Sequence, residues 1–249
     1  MDLWALTLAD MQTRRGRAWR NLQDTTFDEI MNPRLAMSWP SWQRFEDYYF
    51  EGALIWLDAD TLIRERSQGK RSLDDFARAF FGVENGRMTP MTYTFGDIVQ
   101  ALNRIEAYDW ATFLRTSLDR RGGDGPMDGL KRSGYRLVFT DTPGDFWKAI
   151  EAAKPKSDIF TNSVGFAVDA DANVQRVLWD SPAFNAGIIP GMQLLAVNGL
   201  VFEAGKLRSA IKDAKSLSAP IELLVKQDER IRTVKVDNRL VAIPTFGAR

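Results

Sequence analysis

The apolar residues of this chain change period part-way along it, and that change restricts the fold to two joined architectures. Phe45, Tyr48, Tyr49, Gly52, Ile55, Trp56, Ala59, Leu62 and Ile63 recur at intervals of three and four, the spacing that gathers side chains on one face of an α-helix. From Ser163 onward Val164, Phe166 and Val168 alternate with other residues, as do Ile221, Leu223 and Val225, and then Val234 and Val236. That is the period of a strand with one buried face. The sequence therefore predicts an α + β multidomain chain, all-α at first and a small β-barrel or sandwich at the end. The changeover falls around Arg121-Gly122-Gly123-Asp124-Gly125-Pro126, whose glycines and proline break any helix. The expected spans are a helical region 1–125, a connecting segment 126–157 and a β-rich domain 158–240.

Local signals agree with this division. Ser72-Leu73-Asp74-Asp75 and Thr94-Phe95-Gly96-Asp97 each place a hydroxyl and, three residues later, a carboxylate where a helix start has unpaired N–H groups. Asp109 offers a cap for a last helix carrying Trp110, Phe113, Leu114 and Leu118, and Gly82 stops the helix that begins after Ser72. Tyr135, Leu137 and Phe139 suggest a short strand before a turn at Thr142-Pro143-Gly144, while Phe146 to Lys154 is compatible with helix or strand. In the last third, Ser181-Pro182 opens a short helix closed by Gly187, Leu194 to Val197 reads as a buried strand, Asn198-Gly199 as a tight turn, and Lys206 to Lys215 as a helix.

Composition restricts the chemistry. The chain has 33 basic and 33 acidic residues and no apolar run of membrane-spanning length, so neither nucleic acid nor a membrane is an expected partner. It reads as soluble. It contains no Cys and no His, which excludes disulfides, imidazole bases and the usual zinc ligands within this chain. Ser-His and Cys-His catalysis are excluded with them.

The β-rich third carries a recognisable order. Ser163-Val164-Gly165-Phe166, Ser181-Pro182-Ala183 to Gly187, Pro190-Gly191 and Leu194-Leu195-Ala196-Val197-Asn198-Gly199 follow one another as strand pair, short helix, buried strand, turn, longer helix and two strands. This order resembles PDZ domains of bacterial proteases. The resemblance implies peptide binding by strand addition: a peptide or protein terminus pairs with the strand from Gly165 to Val168, and N–H groups of the loop Ser163-Val164-Gly165-Phe166 hold its carboxylate. Gly165 would let a peptide backbone approach, and Leu207 and Ile211 would floor a side-chain pocket beside Phe166. The same apolar residues also suit plain core positions.

In the helical half, Tyr48-Tyr49-Phe50-Glu51-Gly52-Ala53-Leu54 and the stretch from Ser72-Leu73-Asp74-Asp75-Phe76 to Phe80-Phe81-Gly82 resemble the distal helical part of the glycyl aminopeptidase family of zinc metallopeptidases. Those proteins join a thermolysin-like catalytic domain to a PDZ domain, and the resemblance covers most of this chain. It implies a parent enzyme that removes small N-terminal residues such as Gly or Ala, with zinc held by H-E-x-x-H and a later Glu. This chain has no such motif, so zinc is expected only in the full-length parent, and none in this chain. Tyr49, in Tyr-x-x-Gly, is similar to the tyrosine that stabilises the tetrahedral intermediate in related aminopeptidases. Glu51 stands where the family commonly has Lys. As a segment of such an enzyme the chain is expected to be inactive alone and open to self-association through a truncated face. The resemblance suits a bacterial-type parent, periplasmic or secreted, with the compartment left open. The alternative is a non-catalytic interaction protein built from a helical domain and a PDZ domain.

Three further patterns carry less. Asp169, Asp171, Asn173 and Asp180 imitate a calcium loop but lack its Gly and Glu, so a solvated turn is expected. Arg14, Arg15, Arg17 and Arg20 form a basic run suited to a solvated face, a substrate-side lining or a phosphate contact. Asp58 and Asp60, two apart on a helix, face different ways and are expected at the surface.

Overall fold

The computed structural model describes residues 2–27, 39, 41–44, 46–140, 144–153, 157–217, 219–237 and 243–248. The chain divides into two compact units. One comprises Met1–Gly16, Arg34–Arg44 and Leu137–Phe246, and the other Arg17–Pro33, Phe45–Arg136 and Gly247–Arg249. This division differs from the contiguous spans the sequence suggests, because the N-terminal helix α1 (Asp2–Thr13) groups with the β-rich residues. Asp10 explains the grouping: it accepts hydrogen bonds from Arg14 and, at 2.8 Å, from Arg176 far along the chain.

The second unit is all helix among its described residues up to Ser133. After α2 (Leu22–Thr25) comes α3 (Tyr48–Arg66), the long helix that the three-and-four spacing predicts. Its buried stripe is Leu54, Ile55, Ala59 and Ile63, and Phe45 lies outside the described residues. α4 (Leu73–Phe80) and α5 (Phe95–Ile105) start at complete capping boxes, Ser72 with Asp75 and Thr94 with Asp97. Asp109 caps α6 (Trp110–Asp119) by accepting from the Thr112 N–H. The core collects Leu22, Ile55, Ala59, Ile63, Phe76, Leu102 and Trp110, and the indole N–H of Trp110 donates to the Glu106 carbonyl at 2.8 Å. Such a buried polar group is costly unless paired.

α7 (Asp128–Arg132) lies directly on α3. A Cβ on Gly129 would come within 2.7 Å of the Asp58 amide nitrogen, so only glycine permits that approach. Arg132 then bonds the Asp58 carboxylate, the Asp58 carbonyl and the Thr61 hydroxyl. Asp58 is therefore buried, 6% exposed, and the surface position expected for it is corrected: a guanidinium on the next helix compensates a charge that the spacing alone cannot reveal. Asp60 accepts from the Leu73 N–H and pairs with Arg64.

The first unit continues with β1 (Tyr135–Thr140), α8 (Asp145–Ala153), β2 (Ser157–Phe160), β3 (Phe166–Asp169), β4 (Val174–Val177) and α9 (Pro182–Asn185). It ends with β5 (Gln193–Val197), β6 (Leu200–Val201), α10 (Ala204–Leu217), β7 (Ile221–Gln227), β8 (Arg230–Val236) and β9 (Ile243–Ala248). Phe146 to Ala153 is thus helical; the turn expected at Thr142-Pro143-Gly144 has its first two residues outside the described ones. The strands form a three-stranded sheet β2-β3-β4, a four-stranded sheet β6-β5-β7-β8, and a β1-β9 pair. Asn198 and Gly199 both take positive φ, 47° and 78°, as a two-residue hairpin turn requires. Val164, Phe166, Val168, Leu207, Leu223 and Val225 are fully buried in one core.

Candidate functional site

Each unit holds one group of residues that the sequence marks for function. In the helical unit, Tyr49 sits in the first turn of α3 and is 67% exposed. It therefore stands outside the buried stripe to which its spacing assigns it. Its ring lies 4.7 Å from that of Tyr48, and Phe50 beside it is also exposed. Glu51, one step further, turns inward and is 1% exposed. The Glu51 carboxylate receives the guanidinium of Arg17, so its buried charge is paired.

Along the arginine run Arg15 is exposed and Arg14 and Arg20 are half-buried. Arg14 pairs with Asp10, Arg15 with Asp180, Arg17 with Glu51 and Arg20 with Asp24. Every cation in the run has an acidic partner, and Arg17 is buried.

The same unit has an open groove of about 680 Å³ between α3, α4 and α5, with Trp56, Phe76, Phe80, Phe81 and Tyr93 among its lining residues. Asp60, Asp74 and Arg64 supply its polar edge. Phe81 and Tyr93 are 68% and 58% exposed.

In the β-rich unit, Ser163, Val164, Gly165 and Phe166 form the turn between β2 and β3. The N–H groups of Ser163, Val164 and Gly165 all donate to one acceptor, the Phe160 carbonyl, at 3.1, 3.1 and 3.0 Å. The Ser163 hydroxyl donates to it as well, at 3.1 Å. The donors expected to hold a peptide carboxylate are thus convergent, and the chain's own carbonyl occupies them. β3 is also paired on both edges, with β2 through Asp158↔Val168 and Phe160↔Phe166, and with β4 through Phe166↔Val177. β2 thus lies on the edge along which strand addition at Gly165 to Val168 is expected.

Gly165 has a role different from the one its position suggests. Its φ is +95°, and a Cβ there would meet the Ser181 side chain at 2.1 Å. The missing side chain admits Ser181, which caps α9. The Gly165 and Val164 carbonyls accept from the Leu178 and Ala183 N–H groups, fixing the turn against the start of α9. Leu207 and Ile211 are buried on α10 in the same core as Phe166 and Val168.

The calcium-like acids make a turn. The Asp169 carboxylate accepts from the Asp171 and Asn173 N–H groups and from the Asn173 and Gln175 amides. These bonds, those from Asn173 first, hold its carboxyl below the ordinary value. Asp180 is engaged elsewhere, with Arg15. Among the described residues no group of three His, Cys, Asp or Glu side chains is placed to hold a metal, and none of the helices there is long and apolar enough to cross a membrane.

With this geometry in hand, comparison with known proteins places the fold. No protein-family model matches the chain, and no curated protein matches it. Among solved structures, the fold is that of part of an aminopeptidase N family protein from Idiomarina loihiensis, with a TM-score of 0.71 at 15% identity. The likeness covers 99% of this chain and 42% of the other, so the chain spans less than half the length of that protein. Two PDZ structures are also similar over smaller parts. One is a PDZ domain protein from Parabacteroides distasonis (TM-score 0.26, 13% identity, 35% of this chain and 34% of that one). The other is the HtrA3 PDZ domain bound to a phage-derived ligand (TM-score 0.22, 21% identity, 44% and 85%). Both scores are too low to carry weight.

Three participants are not singled out by sequence reasoning: Phe160, Arg17 as the partner of Glu51, and Arg208 of α10, whose guanidinium lies 5.5 Å from the Phe160 ring centroid. Phe160 alone left a trace, as the end of a short stretch after Pro155, Ser157-Asp158-Ile159-Phe160, that leads straight into Ser163-Val164-Gly165-Phe166. The pairings of Arg17 and Arg208 depend on contacts between elements distant in sequence.

Proposed function

We propose that this chain forms the helical part of the catalytic domain, and the peptide-binding PDZ-type domain, of a zinc metallo-aminopeptidase that releases small N-terminal residues. The observation that carries the reading is Tyr49, an aromatic residue on a helical stripe whose phenol nevertheless faces outward at the head of α3. The likeness in fold to an aminopeptidase N family protein supports it. In this reading the Tyr49 hydroxyl donates a hydrogen bond to the oxyanion that develops as the scissile carbonyl becomes tetrahedral. The buried Arg17–Glu51 pair beneath it fixes the first turns of α3 and so the direction of the phenol.

The residues of this chain do not fit a zinc site. It has no His and no Cys, and its described carboxylates form no triad, so the metal in this reading is held by residues outside this sequence. A second reading, a non-catalytic protein that binds peptide termini, is favoured by the same absence of imidazole and thiol.

The test is hydrolysis of glycyl and alanyl p-nitroanilides by the polypeptide of the complete reading frame that includes this sequence. Turnover is expected there, and none from the 249-residue chain alone. Tyr49→Phe should lower kcat by about 10²-fold or more while leaving KM within about threefold, the pattern of a donor used only in the transition state. An unchanged kcat removes Tyr49 from the mechanism. A stop codon in frame immediately upstream of Met1 decides for the non-catalytic reading.

A further inference from the structure

The edge of β3 on which a PDZ ligand is expected is filled by β2, and the details of that filling follow the way a peptide terminus binds. β2 runs antiparallel to β3 in the register Ser157↔Asp169, Asp158↔Val168, Ile159↔Ala167 and Phe160↔Phe166. Its last residue therefore reaches the loop of converging N–H groups. The Phe160 carbonyl occupies the position of a terminal carboxylate, taking the three backbone N–H groups and the Ser163 hydroxyl. The Phe160 ring is buried, 3% exposed, with its centroid 5.7 Å from that of Phe166 and the Arg208 guanidinium of α10 5.5 Å away. It thus fills the space between Phe166 of β3 and Arg208 of α10.

Resting on the peptide-binding reading above, we infer that Ser157–Phe160 is a built-in ligand of this groove, and that the external ligand it mimics is an extended peptide ending in an aromatic residue with a free carboxylate. Four donors share one neutral carbonyl oxygen in the self-occupied state. A carboxylate brings two oxygens and a full charge to the same donors, and charge-assisted bonds of this kind are about twice as strong as neutral ones. Carboxylate recognition therefore favours the external peptide, while the high effective concentration of a tethered segment favours β2. The site binds weakly until β2 is released.

The probe is the peptide acetyl-Ser-Asp-Ile-Phe with a free C-terminus, beside the same peptide as its C-terminal amide, added to the full chain. Asp158→Pro places a residue without an N–H in the middle of β2, where a paired strand poorly tolerates one. In that variant affinity for the free acid should rise at least tenfold over the unaltered chain, with the amide at least tenfold weaker than the acid. In the unaltered chain, saturating peptide should accelerate hydrogen exchange at the β2 amides that face β3, because they lose their partner strand. This measurement decides the matter if Asp158→Pro does not fold.

Binding to the unaltered chain that leaves exchange at those β2 amides unchanged, or no affinity gain in a folded Asp158→Pro chain that does bind, overturns self-occupancy and leaves peptide binding standing. No binding of the acid by either chain overturns both.

Discussion

Arg17 donates to the carboxylate of Glu51 with both side chains out of solvent, 4% and 1% exposed. The remaining Arg17 nitrogens are thinly served: Nε reaches the Gly123 carbonyl at 3.5 Å, and Nη2 has no hydrogen-bond partner among the described residues. Gly122 returns a bond from its N–H to the Arg17 carbonyl at 2.6 Å, so the pair also anchors the glycine-rich turn that follows α6.

Breaking this pair from one side should cost far more than removing it entirely. Glu51→Ala leaves a buried guanidinium uncompensated, an effect of about 3–5 kcal/mol in comparable sites. The double variant Arg17→Met, Glu51→Leu should recover most of that loss, because neither charge then needs desolvating. Glu51→Lys should be at least as damaging as Glu51→Ala, since it sets two cations together. Urea denaturation of the three variants checks the order. A Glu51→Lys chain as stable as the parent would show that the pair is not what holds the head of α3.

Gly165 gives a second prediction. Its φ of +95° disfavours any side chain, and the Ser181 Cβ occupies the space a new methyl needs. Gly165→Ala should destabilise the β-rich unit by about 3 kcal/mol, combining backbone strain with overpacking. Adding Ser181→Gly relieves the contact but not the φ, so it should recover only part of the loss, less the value of the α9 cap. Full recovery in thermal denaturation would show that crowding, and not backbone conformation, sets the requirement for glycine.

What the sequence makes legible here follows from the range of the forces involved. Helix starts are local events, and the boxes at Ser72 and Thr94 and the cap at Asp109 stand in the structure as their spacing suggests. Periodicity likewise locates α3, and alternation locates β3, β7 and β8. Compensation across elements is not local. Nothing near Asp58 announces Arg132, nothing near Glu51 announces Arg17, and the acids are misjudged as a result. The β-rich site shows the same limit: Ser163 to Phe166 reads correctly as a turn with convergent donors, yet the acceptor that fills them lies in β2, a strand the pattern does not reveal. Tyr49 is the reverse case, since a regular stripe assigns it inward while the first turn of the helix leaves it outside the core.

The cap of α5 can be tested by itself. The Asp97 N–H donates to the Thr94 hydroxyl at 3.3 Å, and the Thr94 N–H donates to the Asp97 carboxylate at 2.8 Å. Thr94→Ala should cost about 1 kcal/mol, and Thr94→Ser only a few tenths, because serine keeps the accepting oxygen. Equal losses in the two variants would assign the effect to the lost methyl and not to the cap.

Acid sensitivity should trace in part to Asp10. Burial pushes its carboxyl up, but Arg14 and Arg176, each paired to a different carboxylate oxygen, together outweigh that effect and hold it below the ordinary value. A folded-state pKa below the unfolded one means that the unfolded chain binds the proton more tightly. The contribution is therefore present above the unfolded value, about 3.9 for Asp, and is lost as pH falls through the lower folded value. Because α1 and β4 are joined through Asp10 and Arg176, protonation should loosen α1 first. Asp10→Asn should lower the melting temperature at pH 7 and flatten its decline between about pH 5 and pH 2. If Asp10→Asn melts in parallel with the parent across that range, the two arginines do not stabilise the Asp10 charge, and α1 is held by apolar packing alone.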